Sequence, residues 1–128
     1  MRGRLGFTML LALAAAVSAG CHGSRVDPKV GPSQSEIAIR IVNRSVSDLA
    51  INLVQDGLRT RLGTSYGGMT NVFFLQYSRL RGTGTLLLLG HPVGSSVEVV
   101  TPRLAVRPGS LVVWQIEPVL SQSSAAVY

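Results

Sequence analysis

EIAIRIVNRSVSDLAINLVQDGLRTRL, residues 36–62, alternates apolar and other side chains with a period of two. Ile37, Ile39 and Ile41 interleave with Ala38, Arg40 and Val42, as in a strand with one buried face. Asn43-Arg44-Ser45 interrupts the pattern as a turn. Leu49, Ile51 and Leu53 then repeat it against Ala50, Asn52 and Val54. Gln55-Asp56-Gly57 carries a hairpin signal, because a tight turn needs positive φ and Asp-Gly accepts it. Leu58–Leu62 returns as a short strand, with Arg59 and Arg61 on one face and Leu58, Thr60 and Leu62 on the other.

Moving outward, the same period recurs. Gly63–Gly68 reads as a loop, and Thr70–Gln76 (TNVFFLQ) as a strand buried in the middle of a sheet. Tyr77–Gly84 is polar, basic and glycine-bearing, hence a loop. Thr85–Leu89 is short and flanked by glycines, which favours a strand over a helix. His91–Ser96 reads as a loop and Val97–Val100 as a strand. Pro102 marks a break or an edge, since proline cannot donate to a ladder. Leu104 and Val106 resume the alternation. Arg107-Pro108-Gly109-Ser110 is a turn. In Leu111–Glu117, Val112, Trp114 and Ile116 share the expected core face, and Pro118 ends the strand. The tail, residues 120–128, is weakly patterned and either frays or adds an edge strand.

These elements predict an all-β domain. Seven or eight short strands at roughly ten-residue spacing point to an antiparallel β-sandwich, Ig-like or transthyretin-like, with a small barrel as the alternative. No helix is expected after residue 21. The chain has 128 residues, and the 107 that follow Cys21 suffice for one domain. The expected organisation is a signal peptide over 1–20, an anchor and tether over 21–35, the sandwich over 36–119 and the tail over 120–128.

Met1–Cys21 decides location. Arg2 and Arg4 form a positive start, Leu5–Val17 is uncharged and apolar, and Ser18-Ala19-Gly20 supplies small residues for cleavage. The run is shorter than the roughly 20 residues a membrane span needs. Ser18-Ala19-Gly20-Cys21 resembles the lipobox of bacterial lipoproteins, with Ser18 where that family usually carries Leu. The resemblance covers Leu5–Cys21. It implies that Cys21 is lipidated and that the protein is exported to the cell envelope and tethered to a membrane. His22 after the cysteine, in place of the Asp that favours inner-membrane retention, implies the outer membrane in a diderm cell. Cys21 is the single cysteine, so no internal disulfide can form and an exported chain needs another use for it. The layout also looks like uncharacterised bacterial lipoproteins with one β-sandwich domain.

Residues 22–35, HGSRVDPKVGPSQS, read as a flexible tether. Arg2 and Arg4 contribute two of the six net positive charges, leaving +4 on the remainder, and nine of its ten basic residues are arginine. The arginines are scattered, and an exported protein seldom meets nucleic acid. Envelope proteins and anionic lipid headgroups or polysaccharides are therefore the expected partners.

No catalytic constellation is legible. His22 and His91 cannot supply the three or four ligands of a metal site, and no G-x-S-x-G elbow occurs. Asp48 and Asp56 have local roles in turns. No cofactor, metal or catalytic residue is expected, and the chain reads as a non-enzyme. One candidate surface emerges. Tyr66 and Tyr77 lie in expected loops with Arg79 and Arg81 nearby. If loops 63–68 and 77–84 converge at one end of the sandwich, the four side chains form a basic aromatic patch suited to envelope polymer or carbohydrate.

Overall fold

Asp56 and Gly57 take φ of 50° and 76°, the left-handed pair of a two-residue hairpin, and join the strands β2 (Leu49–Gln55) and β3 (Leu58–Ser65). The structure, a computed structural model, describes residues 33–82 and 84–128. The expected signal peptide, Cys21 and nearly all of the tether lie outside the described residues. The other strands are β1 (Glu36–Asn43), β4 (Thr70–Gln76), β5 (Thr85–Leu86), β6 (Leu88–Pro92), β7 (Val99–Val100), β8 (Leu104–Ala105), β9 (Leu111–Ile116) and β10 (Ser124–Val127). Two 3-10 turns, Tyr77–Arg79 and Leu120–Gln122, complete the list of described elements. None of the described helices is long and apolar enough to cross a membrane.

The strands form two four-stranded sheets, β10-β9-β1-β4 and β3-β2-β6-β7, with β5 and β8 paired separately. The alternation sets which faces meet. Ile37, Ile39, Ile41, Leu75, Val112, Trp114 and Ile116 come from the first sheet, and Leu49, Ile51, Leu53, Leu88 and Val99 from the second. All are buried in one cluster, together with Leu86 and Leu104 of the small pair and Val106 just after it. The architecture is β-sandwich-like and mostly antiparallel, as the period-two pattern requires.

One pairing departs from the antiparallel expectation: β1 and β9 run parallel, with Ile41 opposite Trp114. The chain leaves the first sheet after β4 and returns through the turn at 107–110, beside the start of β1. There Ala38 N–H donates to Ser110 O at 3.0 Å and Gly109 N–H to Glu36 O at 2.7 Å. Entering at the same end as β1, β9 has to run in the same direction.

Several local expectations are corrected. The described residues hold ten strands rather than seven or eight, because Thr85–Leu89 is divided between two partners and the tail adds another. Thr85-Leu86 pairs with β8, whereas Leu88 and Leu89 pair with β2. Gly63–Ser65 continues β3 instead of forming a loop. The register shifts at Ile51/Asn52, so that Gly63 faces Ile51 and Arg61 faces Asn52, leaving Leu62 as the extra residue of a bulge. Gly63 is required there, since a Cβ would stand 2.5 Å from the Phe73 ring. His91 and Pro92 are strand residues, opposite Ala50 and Leu49. Of Val97–Val100, only Val99 and Val100 pair. β4 is an edge strand rather than a central one, leaving Val72 and Phe74 exposed on its outer side.

The tail resolves toward the edge-strand alternative. β10 lies antiparallel to β9, and Leu111 and Tyr128 exchange both backbone hydrogen bonds at 2.9 and 2.8 Å. The first sheet thus extends beyond residue 119.

Asn43 closes the end of the sandwich away from the hairpin. It is 1 % exposed, and its Nδ2 donates to Ser47 O (2.9 Å) and Ser65 O (3.2 Å). Its Oδ1 accepts from Ser45 N–H (3.0 Å) and Ser45 Oγ (2.7 Å). One buried amide therefore satisfies groups of the loop after β1 and of the end of β3, as a polar group removed from water must.

Candidate functional site

At the hairpin end the two sheets part. Pairing puts Leu58 and Thr60 opposite Gln55 and Leu53, hence on the inner side of β3. β4 stops at Gln76 and turns away through Tyr77–Arg79, so nothing covers these positions. Leu58 is consequently 61 % exposed although it faces inward. The gap is a cleft of about 390 Å³ with Leu53 and Leu75 at its base, Leu58, Thr60 and Leu62 on one wall, and Ser78, Arg79 and Arg81 on the other.

Gln55 fixes the second wall. Its Nε2 donates to Arg79 O at 3.1 Å, and its Oε1 accepts from Arg81 N–H at 2.6 Å. The side chain binds the loop as a neighbouring strand would and ties it to the hairpin. Between the two arginines, Leu80 is extended (φ −75°, ψ 127°) and packs against the core cluster. Arg79 closes the 3-10 turn and Arg81 follows Leu80, and both are exposed residues of the cleft lining.

Charge is unevenly distributed. Arg59 is paired with Glu98 at 2.7 and 3.4 Å, and Arg44 with Glu117 at 3.4 Å. Among the described residues Arg79 and Arg81 have no carboxylate partner and no acidic residue lines the cleft. Arg61 also lines it, but its guanidinium donates to Thr64 Oγ1 at 2.8 Å. A smaller recess of about 220 Å³ adjoins the cleft, shares Gln55 and Arg81 with it, and adds Asp56 and Arg103.

The four residues singled out in the sequence are not brought together. Arg79 and Arg81 share the cleft wall. Tyr77 is beside them but half-buried; its ring packs on the core and its hydroxyl stands against Gly84, where a Cβ has no room. It holds the loop and does not display an aromatic face. Tyr66 lies at the far end of β4, about 20 Å away at the rise of a strand. There its N–H donates to Asn71 Oδ1 at 3.0 Å, and the next residue, Gly67, donates to Asp48 Oδ1 at 2.9 Å. The two loops sit at opposite ends, so no patch of all four forms.

His91 lies on the outer face of the second sheet, with Nδ1 3.8 Å from Glu98 Oε1, and Glu98 is already held by Arg59. Among the described residues no three of His, Cys, Asp and Glu stand together as metal ligands would. Comparison with protein-family models and with curated proteins gives no match.

The cleft leucines escaped the sequence reading. The parity of L-R-T-R-L separates Leu58 and Thr60 from Arg59 correctly. Nothing local, however, says that β3 is an edge whose inner face outruns the opposing sheet.

Proposed function

We propose that the protein is a lipid-anchored, non-catalytic interaction module of the cell envelope, exported by its N-terminal segment and held to the membrane through Cys21. In a diderm cell the membrane is the outer one. The sandwich is read as Ig-like or transthyretin-like, standing off the surface on residues 22–35. Its partner is an anionic envelope component, met at the hairpin-end cleft.

One observation carries the binding reading: Arg79 and Arg81 are exposed, have no carboxylate partner among the described residues, and stand on a backbone held by Gln55 at a cleft that no described acidic residue lines. Cations without a carboxylate partner attract anions. The non-catalytic reading is supported by the surroundings of His91, whose Nδ1 lies 3.8 Å from Glu98 Oε1 without a hydrogen-bond partner: among the described residues no hydroxyl is hydrogen-bonded to it, as a nucleophile activated by a base would be. The alternative reading, binding of an envelope polymer or carbohydrate, rests on the same arginines without Tyr66.

The double variant Arg79→Glu/Arg81→Glu reverses four units of charge at the cleft and leaves the core untouched. Retention on isolated envelope material is expected to fall at least about tenfold at physiological salt, a loss of the order of 1.4 kcal/mol. The melting temperature should change little, as surface charge changes usually do. Unchanged retention would contradict the cleft as the contact surface.

A further inference from the structure

We infer that the cleft takes a small amphipathic anion, a single alkyl or acyl chain ending in a carboxylate or phosphate. The inference rests on the cleft being the binding surface and names its ligand class.

Two chemistries meet in one cavity. Its base is leucine and one wall carries two more beside Thr60 and Arg61: Leu53 and Leu75 are each 2 % exposed, and Leu62 is half-buried beside the core. Leu58 extends that surface outward on the inner side of β3, uncovered by any layer. An apolar side chain so placed is stabilised by whatever apolar group fills the gap. Facing it across the cleft are the unpaired Arg79 and Arg81, with the hydroxyl of Ser78 beside them. Guanidinium groups favour carboxylate and phosphate oxygens, which they can bind in bidentate fashion.

The lining discriminates among anions. A bare phosphate would satisfy the arginines and leave the leucines in water. A sugar is commonly held on an aromatic face, and no aromatic residue lines this cleft. A chain with an acidic end matches both walls at once. The volume of about 390 Å³ lies within the roughly 300–1,000 Å³ of small-molecule sites. Each methylene buried should tighten binding about three- to fourfold until the cleft is full.

The test uses the full chain carrying Cys21→Ala, so that no bilayer competes for the probes, titrated by calorimetry below their micelle concentrations. The probes are octyl phosphate, octanoate, inorganic phosphate and 1-octanol. Octyl phosphate or octanoate is expected to bind at least tenfold tighter than both inorganic phosphate and octanol. Preference between the two anions separates a phospholipid source from a fatty-acid one. Leu58→Ser, at a position too exposed to hold the fold, should weaken the octyl anion about tenfold. Arg79→Gln with Arg81→Gln should erase the advantage over octanol.

Inorganic phosphate binding as tightly as octyl phosphate would overturn the amphiphile and leave the cleft as a plain anion site. Octanol binding equally well would overturn the role of the arginines toward this ligand. If no probe binds while the Arg79→Glu/Arg81→Glu variant still leaves the envelope, the ligand class is wrong and the cleft stands. If neither effect is seen, both fall.

Discussion

Replacing Cys21 by Ala is expected to move the protein almost wholly from the membrane pellet to the soluble fraction. The physical reason lies in the number of chains on the anchor. One acyl chain holds a protein only marginally, with a partition constant of about 10⁴ M⁻¹, whereas two or three hold it stably. On the proposed anchor, lipoprotein maturation would supply two or three at the cysteine, so its removal would take away the whole attachment at once. Nothing in the sandwich is expected to compensate, because its large apolar side chains are mostly turned inward. The fourteen residues 22–35 can span at most about 50 Å, so the domain stays within reach of the surface while the anchor is present. Fractionation of cells expressing each form at equal level measures the effect. A variant that still pellets with the membrane after high-salt washing would contradict the anchor.

Trp114→Ala is expected to have the largest effect on the fold. The indole is 1 % exposed on β9, between β1 and β10, and its Cη2 reaches Gly90 of the opposite sheet. A Cβ on Gly90 would stand 3.3 Å from that atom and 3.0 Å from both Leu49 Cδ2 and Val99 Cγ1. The ring therefore spans the sandwich, and Gly90 makes the room for it. Truncation removes the contacts of both sheets and leaves a cavity the paired strands cannot collapse, at a cost of about 3–5 kcal/mol. For a domain of this size the melting temperature should drop by about 12–40 °C. Thermal unfolding followed by far-UV circular dichroism measures it. A drop below about 5 °C would mean that the ring does not bridge the sheets.

The residues that were legible in the sequence are those whose environment is set by their own neighbours. The alternation of Ile37–Ile41 and Leu49–Leu53 gave both the strands and their inward faces, because period-two burial is a property of one strand alone. Asp56-Gly57 gave the hairpin, because positive φ is a local demand. Trp114 was placed in the core by parity and is found there.

What was not legible depends on partners distant in the chain. TLLLL contains no sign that Leu86 follows one sheet pair and Leu88 another. Strong apolarity put Thr70–Gln76 mid-sheet, yet among the described residues no strand pairs on its far side. Gly63, next to the bulge at Leu62, stands against the Phe73 ring, ten residues on. Half of the candidate surface failed for the same reason. Tyr66 and Tyr77 flank one strand, and a strand sends its two ends to opposite sides of a sandwich. Arg79 and Arg81 survived as a pair because only Leu80 separates them.

The account turns on contact at the hairpin-end cleft, and site-specific photo-crosslinking in intact cells tests that contact most directly. A photoreactive residue is placed at Ser78, exposed on the cleft wall, and separately at Val93, 69 % exposed at the other end of the sandwich. Adducts are predicted at position 78, lost on Arg79→Glu/Arg81→Glu, with none at position 93. Equal adducts at both positions, or adducts at 78 that survive charge reversal, would contradict it.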